Sequence, residues 1–576
     1  MPNDPRAGVK PKVDIDGAAL STDLAQLLEL AVVDEHLHQP DMFMLSFRDI
    51  THDVAQRAHL TIGGKVKISA PSPTGGSGSE VLIEGEITSL EADIDATGTR
   101  AIARGYDGSH RLHRGRITQT YQNVKDSDIA QTVAQRAGLQ PGTIDDSQIT
   151  HEHVSQVNES DWAFLNARAE EIGFEVAVTE GKLHFRKPVP SEDAPAQGGY
   201  DSTNPLQLVP GKDLLEFRPR VTSSEQVSDV KVRGWDAKAK QAVIGSAPAG
   251  TDSFQLPATP SSLAGKFGNH TFSEVDHPLT TQREVDVTAK AVADQISSAV
   301  AEADGVAWGN PKLKAGTAVS IGQVASDFVG RYTLTHTRHI FDAHPGTGYV
   351  TRFEVSGRMD RSLLGLVTNG GHAAATGPIH GVVVALVTNN DDPDKLGRIK
   401  VKFPWLSDTY ESDWTRMTQF GAGPNSGAVF MPEVNDEVLV AFEFGDVRRP
   451  IVVGSLYNGR DKPRLGDGLF DNGKVKRRGV VSRKGHRFIL FDDDGKSGIA
   501  LLTSDSSIKI SLNETKKEIH VVCKGKVRIE ADDDVSITSK TKVSIEGDRV
   551  EVTGKSGVKV SSTSAVEVSG KPIKLN

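Results

Sequence analysis

The residues of this 576-residue chain that could do chemistry are few, and their spacing does not suit it. His151-Glu152-His153, and His36 with His38, each offer two imidazoles that alternation on a strand would turn to one face. No third ligand and no zincin helix pattern follows either pair, so both read as surface or turn histidines. Gly495-Lys496-Ser497 and Gly554-Lys555-Ser556 end like a phosphate loop, but Leu490 and Arg549 stand where the leading glycine is required, and both read as turns. Gly75-Gly76-Ser77-Gly78-Ser79 misses the nucleophile elbow by one residue. The runs Asp492-Asp493-Asp494 and Asp532-Asp533-Asp534 lack the ligand pattern of a calcium loop and read as solvated turns. Cys523 is the only cysteine, which excludes an in-chain disulfide and a cysteine zinc cluster; following Ile519 and Val521, it reads as a buried, inert thiol. No catalytic, cofactor-binding or metal-ligating residue is assigned, and the chain is expected not to be an enzyme.

Composition points the same way. The 66 Lys and Arg against 76 Asp and Glu give a net charge of -10 without a long run of either sign, which argues against a nucleic-acid partner. Hydrophobic content is 37% and aromatic content only 6%, so part of the chain must fold without an aromatic core. The start, Met1 to Arg6, has no signal-peptide pattern, and the longest clean apolar run, Val382 to Val387, is too short to cross a bilayer. Synthesis as a soluble cytoplasmic protein is the expectation.

Proline- and glycine-rich stretches at Pro188–Lys212, Thr368–Pro378 and Gly459–Gly479 divide the chain into four blocks. The first alternates as strands do, as in Val81 to Ile87, with one helix expected over Thr22–Val33 on Leu24, Leu27, Leu28 and Ala31. From Gln119 to Lys187 the period changes to an α+β insertion. Asp126 or Ser127 is expected to cap one helix ending at Gly138, Asn158 to cap a second ending at Gly173, and Glu180-Gly181 to turn a strand pair. Strands then return, with one helix expected near Arg283–Ala303. Five short strand candidates between His380 and Tyr457 suit a small closed barrel of OB type.

The last stretch is the most regular. Ile519, Val527, Val535, Val543, Val550, Val558, Val566 and Ile573 follow one another at intervals of 8, 8, 8, 7, 8, 8 and 7, and most have an apolar partner two positions on. Each unit is a short strand followed by a polar turn. Phe491 is the last aromatic, so 85 residues must fold on Val, Ile, Leu and one Cys. Eight residues are too few for one coil of a single-chain solenoid, whereas three chains each supplying a side would close a triangular prism. Six Val or Ile side chains per layer would then contribute about 9 to 18 kcal/mol gross. The expected core positions are Val527, Ile529, Val535, Ile537, Val543, Ile545, Val550, Val552, Val558, Val560, Val566 and Val568.

Residues Asn390 to Val401, Ser412 to Arg416, Pro432 to Phe442 and Gly445 to Tyr457 resemble the OB domain of VgrG spike proteins. Gln156 with Glu159 to Leu165 and Glu170 to Phe174 resembles the phage late-control protein D family. The resemblance implies a mainly β fold: two hub β-barrel domains (1–118 and 205–365) with an α+β insertion (119–190), an OB-fold barrel (379–458), a neck (459–500) and a C-terminal intertwined trimeric β-helix needle (501–576). It implies the homotrimeric hub and spike of a contractile injection machine, with an inner tube protein, baseplate proteins, effector cargo and a transient target-membrane contact. A PAAR-repeat tip protein would dock on Pro572, Ile573, Leu575 and Asn576. The compact, toxin-free chain favours an extracellular phage-tail-like particle over a type VI system or a phage. The alternative reading is a cell-wall glycan-binding module or hydrolase using the OB barrel.

Overall fold

The computed structural model describes residues 9–71, 78–275, 277–344, 348–360, 379–465, 469–493 and 495–574. The linker Thr368–Pro378, Gly75 to Ser77, Asp494, Leu575 and Asn576 lie outside these residues. The chain is mainly β and divides into two compact units, Met1–Asn458 and Gly459–Asn576.

In the first unit the two β blocks share one sheet of eleven strands. The join is the antiparallel pairing of Leu28–His36 with His336–Asp342, which places His36 opposite His336 and Glu35 opposite Thr337. The predicted helix over Thr22–Val33 is shorter than expected. It spans Thr22–Leu27, and Leu28 opens the strand instead, because β-branched Val32 and Val33 are wanted at a position flanked by strands on both sides. Phe43, Leu45, Phe47, Ile68 and Ile87 fill the core beneath the first block. Each block uses the same cross-strand device, in which a glycine makes room for the ring opposite. Gly105 faces Phe43, and Gly305 faces Phe353; an added Cβ would come within 2.4 Å and 2.0 Å of those rings. A four-stranded sheet built on Ala318–Ile321 and Gly330–Thr333 covers the second block through Val319, Ile321, Tyr332 and Phe353.

The insertion has helices Asp161–Ile172 and Asp126–Arg136 packed on short sheets. Its caps differ from those expected. Lys125 is the first N-cap, its backbone N–H donating to Asp128, while Asp126 turns inward. Ser160 caps the second helix by accepting from Ala163 N–H at 3.3 Å, because Asn158 is spent in a left-handed residue (φ 49°) at a bulge. Gly173 ends that helix left-handed at φ 69°. The boundary drawn at 118/119 falls inside the strand Ile117–Lys125, which pairs along the length of Thr150–Glu159. The long helix of the second block is Gln282–Ser298, opened by a capping box of Thr281 and Glu284, and Ala301–Trp308 is a strand rather than its continuation.

The OB segment forms five strands ordered Lys400–Lys402, Val382–Asn389, Glu437–Phe442, Pro450–Ser455 and Arg416–Met417. A bridge between Ile399 and Thr415 joins the two outer strands and closes the barrel around Val387, Val401, Phe403, Val438 and Val452.

The second unit contains a five-stranded antiparallel meander from Arg477–Val481 to Glu518–Cys523. The boundary drawn at 500/501 falls inside its third strand, Gly498–Leu502. The strands alternate apolar and polar residues well before the octads begin, so they pair within the chain. From residue 524 to 574 no strand pairs with another part of the chain.

Candidate assembly interface

Three turns of the OB barrel carry the sequence motifs, and each is organised by one carboxylate. Asp392 accepts the backbone N–H groups of Asp394, Leu396 and Arg398 at 3.1, 2.9 and 3.2 Å. It also grips the Arg398 guanidinium at 2.7 Å, a contact that holds its carboxyl well below the usual range. Asp436 accepts Glu433 N–H at 2.8 Å. Asp446 accepts Arg448 N–H at 2.8 Å and pairs with the same residue's guanidinium. Asp392, Asp436 and Asp446 are thus turn formers.

The third turn is also the joint between barrel and insertion. Arg448 reaches Glu171 at 3.0 Å; Glu171 pairs with Arg168; Arg168 holds Asp126 at 2.7 and 3.1 Å; and His151 Nε2 meets Asp126 at 3.0 Å. Burial opposes charge on Asp126, but the Arg168 cation and the hydrogen bonds from His151 and Arg168 override it and keep the carboxyl ionised well below the usual range. His153 approaches the Glu411 carbonyl at 3.1 Å and packs edge-on against Tyr410 of the barrel. Thus His151 and His153 are not surface histidines. Nor are His36 and His38, which lie largely enclosed near His336 at the seam of the eleven-stranded sheet. The His36 ring lies 5.3 Å from that of His336, 300 residues along the chain, a neighbour that spacing alone does not reveal. Among the described residues no group of three or more His, Cys, Asp or Glu is placed to hold a metal.

Trp405 and Trp414 lie near the surface of the barrel. Trp405 is half exposed and donates its indole N–H to the Val384 carbonyl at 3.1 Å; Trp414 sits beside Lys400 and Arg398.

An extended exposed apolar surface lies in the second unit. Strand register puts Val480, Phe488, Leu501, Ile510 and Val521 in one row across the meander, and Leu490, Ile499, Leu512 and Ile519 in the next row of the same face. Most of these are exposed, while Ile489 and Ala500 on the other face are buried. Cys523 continues the apolar face beside Ile508 and is half-buried, its Sγ accepting Gly525 N–H at 3.3 Å. Beyond it, the twelve expected needle positions from Val527 to Val568 are each 51% to 74% exposed. Ile573, expected at the tip dock, is 49% exposed, and Leu575 and Asn576 lie outside the described residues. A lone chain leaves this whole series in water.

Residues 383–457 match the family described as the type VI secretion system/phage-baseplate injector OB domain, and residues 9–342, more than half the chain, match the family described as the Alg8 N-terminal domain. The Pseudomonas aeruginosa type VI secretion system spike protein VgrG1c is 40% identical over 86 residues. The chain is a VgrG-type protein of the Alg8 N-terminal domain family. That stretch is 14% of this VgrG-type chain and 12% of the Pseudomonas protein, so only a small part of the curated relative's length is spanned. The Vibrio cholerae spike protein VgrG3 is 31% identical over 130 residues, covering 22% of this chain and 13% of that one. Among solved structures, a Francisella PdpA-VgrG complex in a lidded state aligns with a TM-score of 0.52 at 10% identity, over 90% of this chain and 80% of that one. At that identity the likeness concerns the VgrG-type fold alone.

Proposed function

We propose that this chain is one protomer of a homotrimeric hub and spike of a contractile injection machine. The first unit would face the inner tube and baseplate, and the second would form a membrane-puncturing needle. The observation that carries the reading is the second unit's apolar series. It continues from Val480 through the octads to Ile573, is exposed throughout most of its length, and after residue 523 has no strand partner in its own chain. Exposed apolar surface of this extent marks an interface, and unpaired strand edges are covered in native assemblies. Three chains would supply both the missing hydrogen-bond partners and the core.

On this reading the chain is made in the cytoplasm and loaded into a particle, a PAAR-repeat tip protein covers Pro572 to Asn576, and effector cargo rides with the spike. The work is mechanical. The protein neither catalyses a reaction nor binds nucleic acid. The spike names of the curated relatives support this, as does the use of the barrel's motif carboxylates in turns. No helix among the described residues is long and apolar enough to cross a membrane.

The test is Val543→Asp with Ile545→Asp, which would put six carboxylates near the needle axis at a cost of several kcal/mol per buried ion. Light scattering should show the trimer lost. An intact trimer of unchanged heat resistance would overturn the intertwined needle.

A further inference from the structure

We propose that the glycine-rich hairpin of the OB barrel, residues 417–432, is a subunit contact at which copies of this chain meet one another. The proposal rests on the trimer reading and adds an interface in the other compact unit.

From Met417 to Pro432 sixteen consecutive residues carry no charge, in a chain that is 25% charged. The segment is a rigid arm. Ala422–Gly423 pairs with Ser426–Gly427 across a Pro424-Asn425 turn, with Asn425 at φ 54° as a type II turn requires. Gly427 sits at φ 148°, and a Cβ there would fall 2.3 Å from the Gly421 carbonyl oxygen. Thr418 anchors the base, its N–H donating to Val452 O at 2.9 Å and its hydroxyl to Val453 O at 2.7 Å. The Gln419 side-chain carbonyl accepts Phe430 N–H at 3.1 Å, clamping the second leg to the first.

What this arm presents is apolar. Phe420 is 94% exposed and Val429 81%, and the Phe420 ring stands edge-on to Phe430 with centroids 6.1 Å apart. A fixed backbone holding two phenylalanines and a valine in water has the make-up of an interface anchor. Of the flanking charges, Arg416 pairs with Glu443 at 2.8 Å, and Glu433, just beyond the uncharged run, donates its backbone N–H to the Asp436 carboxylate.

The lack of charge selects the occupant. On a three-fold axis, where three copies of one surface converge, each ionised group faces its own sign, so an uncharged, glycine-rich, apolar surface is the kind that tolerates the arrangement. A different partner, such as a tube or baseplate protein, could use complementary charge for register, and this arm offers none.

The experiment uses the full-length chain with Cys523→Ser, so that Asn425→Cys supplies the one thiol. Oxidation, and in parallel a short bismaleimide, should link chains into dimers amounting to at most about two thirds of the protein, since one bridge joins two of three thiols. Thr97→Cys, on an exposed turn of the first β block, should not link. Phe420→Asp added to Asn425→Cys should abolish linking while light scattering still reports a trimer held by the needle. A trimer that links at residue 425 by neither reagent would overturn the hairpin contact and leave the trimer reading standing, and would point to a different partner on the arm. Linking that survives both Phe420→Asp and Val429→Asp would also overturn it. A monomer would instead overturn the trimer reading.

Discussion

Replacing Arg168 by Met tests whether the ion network ties the OB barrel to the insertion. Arg168 is 5% exposed and Asp126 not at all, so the substitution leaves a fully enclosed carboxylate with only His151 beside it. Glu171 keeps Arg448, and the loss is concentrated at Asp126. Removing one partner of a buried pair costs about 3 to 5 kcal/mol. At about 1.4 kcal/mol per decade, this should accelerate amide exchange through sub-global opening by roughly two to three and a half orders of magnitude in the helix Asp161–Ile172 and the strand Thr150–Glu159. Exchange in Lys65–Pro71, in the core of the first β block, should change little. The pH dependence has a definite sign. In the native chain the Asp126 carboxyl is held low, so its pairing stabilises at neutral pH and is lost only on strong acidification. In the variant that carboxyl titrates at higher pH, and protonating it relieves the buried charge, so the variant-to-native exchange ratio should shrink between pH 7 and about 4.5. A ratio below about tenfold at pH 7, or one that does not change with pH, would refute the assignment.

Two further outcomes are expected. Burial pushes the Glu35 carboxyl up to about 7 where it accepts Thr337 Oγ1 at 2.9 Å, with Lys314 partly opposing the shift. Its contribution is therefore fully present at acid pH and lost as pH rises through about 7, so Glu35→Gln should raise the melting temperature more at pH 8.5 than at pH 5; an equal effect at both would refute it. Deleting Pro572 to Asn576 should abolish pull-down of a PAAR-repeat tip protein while the thermal melt stays that of the trimer, and undiminished capture would place the dock elsewhere.

What the sequence made legible was what short-range chemistry decides. The octad spacing, the two helix C-terminal glycines Gly138 and Gly173 and the five barrel strands are local patterns of alternation and turn residues. The strand Ala301–Trp308 was missed because Ala301, Ala303 and Ala307 are its inward residues, and alanine is a weak strand signal. The histidines were misread for a different reason. His151 is enclosed by Asp126 and Arg168, and His36 lies opposite His336, so their surroundings arise only when distant segments pair. The Phe420 hairpin drew no notice in the sequence, because its exposure arises only from the fold of the barrel around it.

The central claim is that the apolar series from Val480 to Ile573 is buried by two further copies of the chain. Sedimentation equilibrium of the full-length protein across a wide dilution range tests it most directly. The account predicts a single species at three times the chain mass of 61.7 kDa, with no dissociation on dilution. A stable species at the mass of one chain would contradict it.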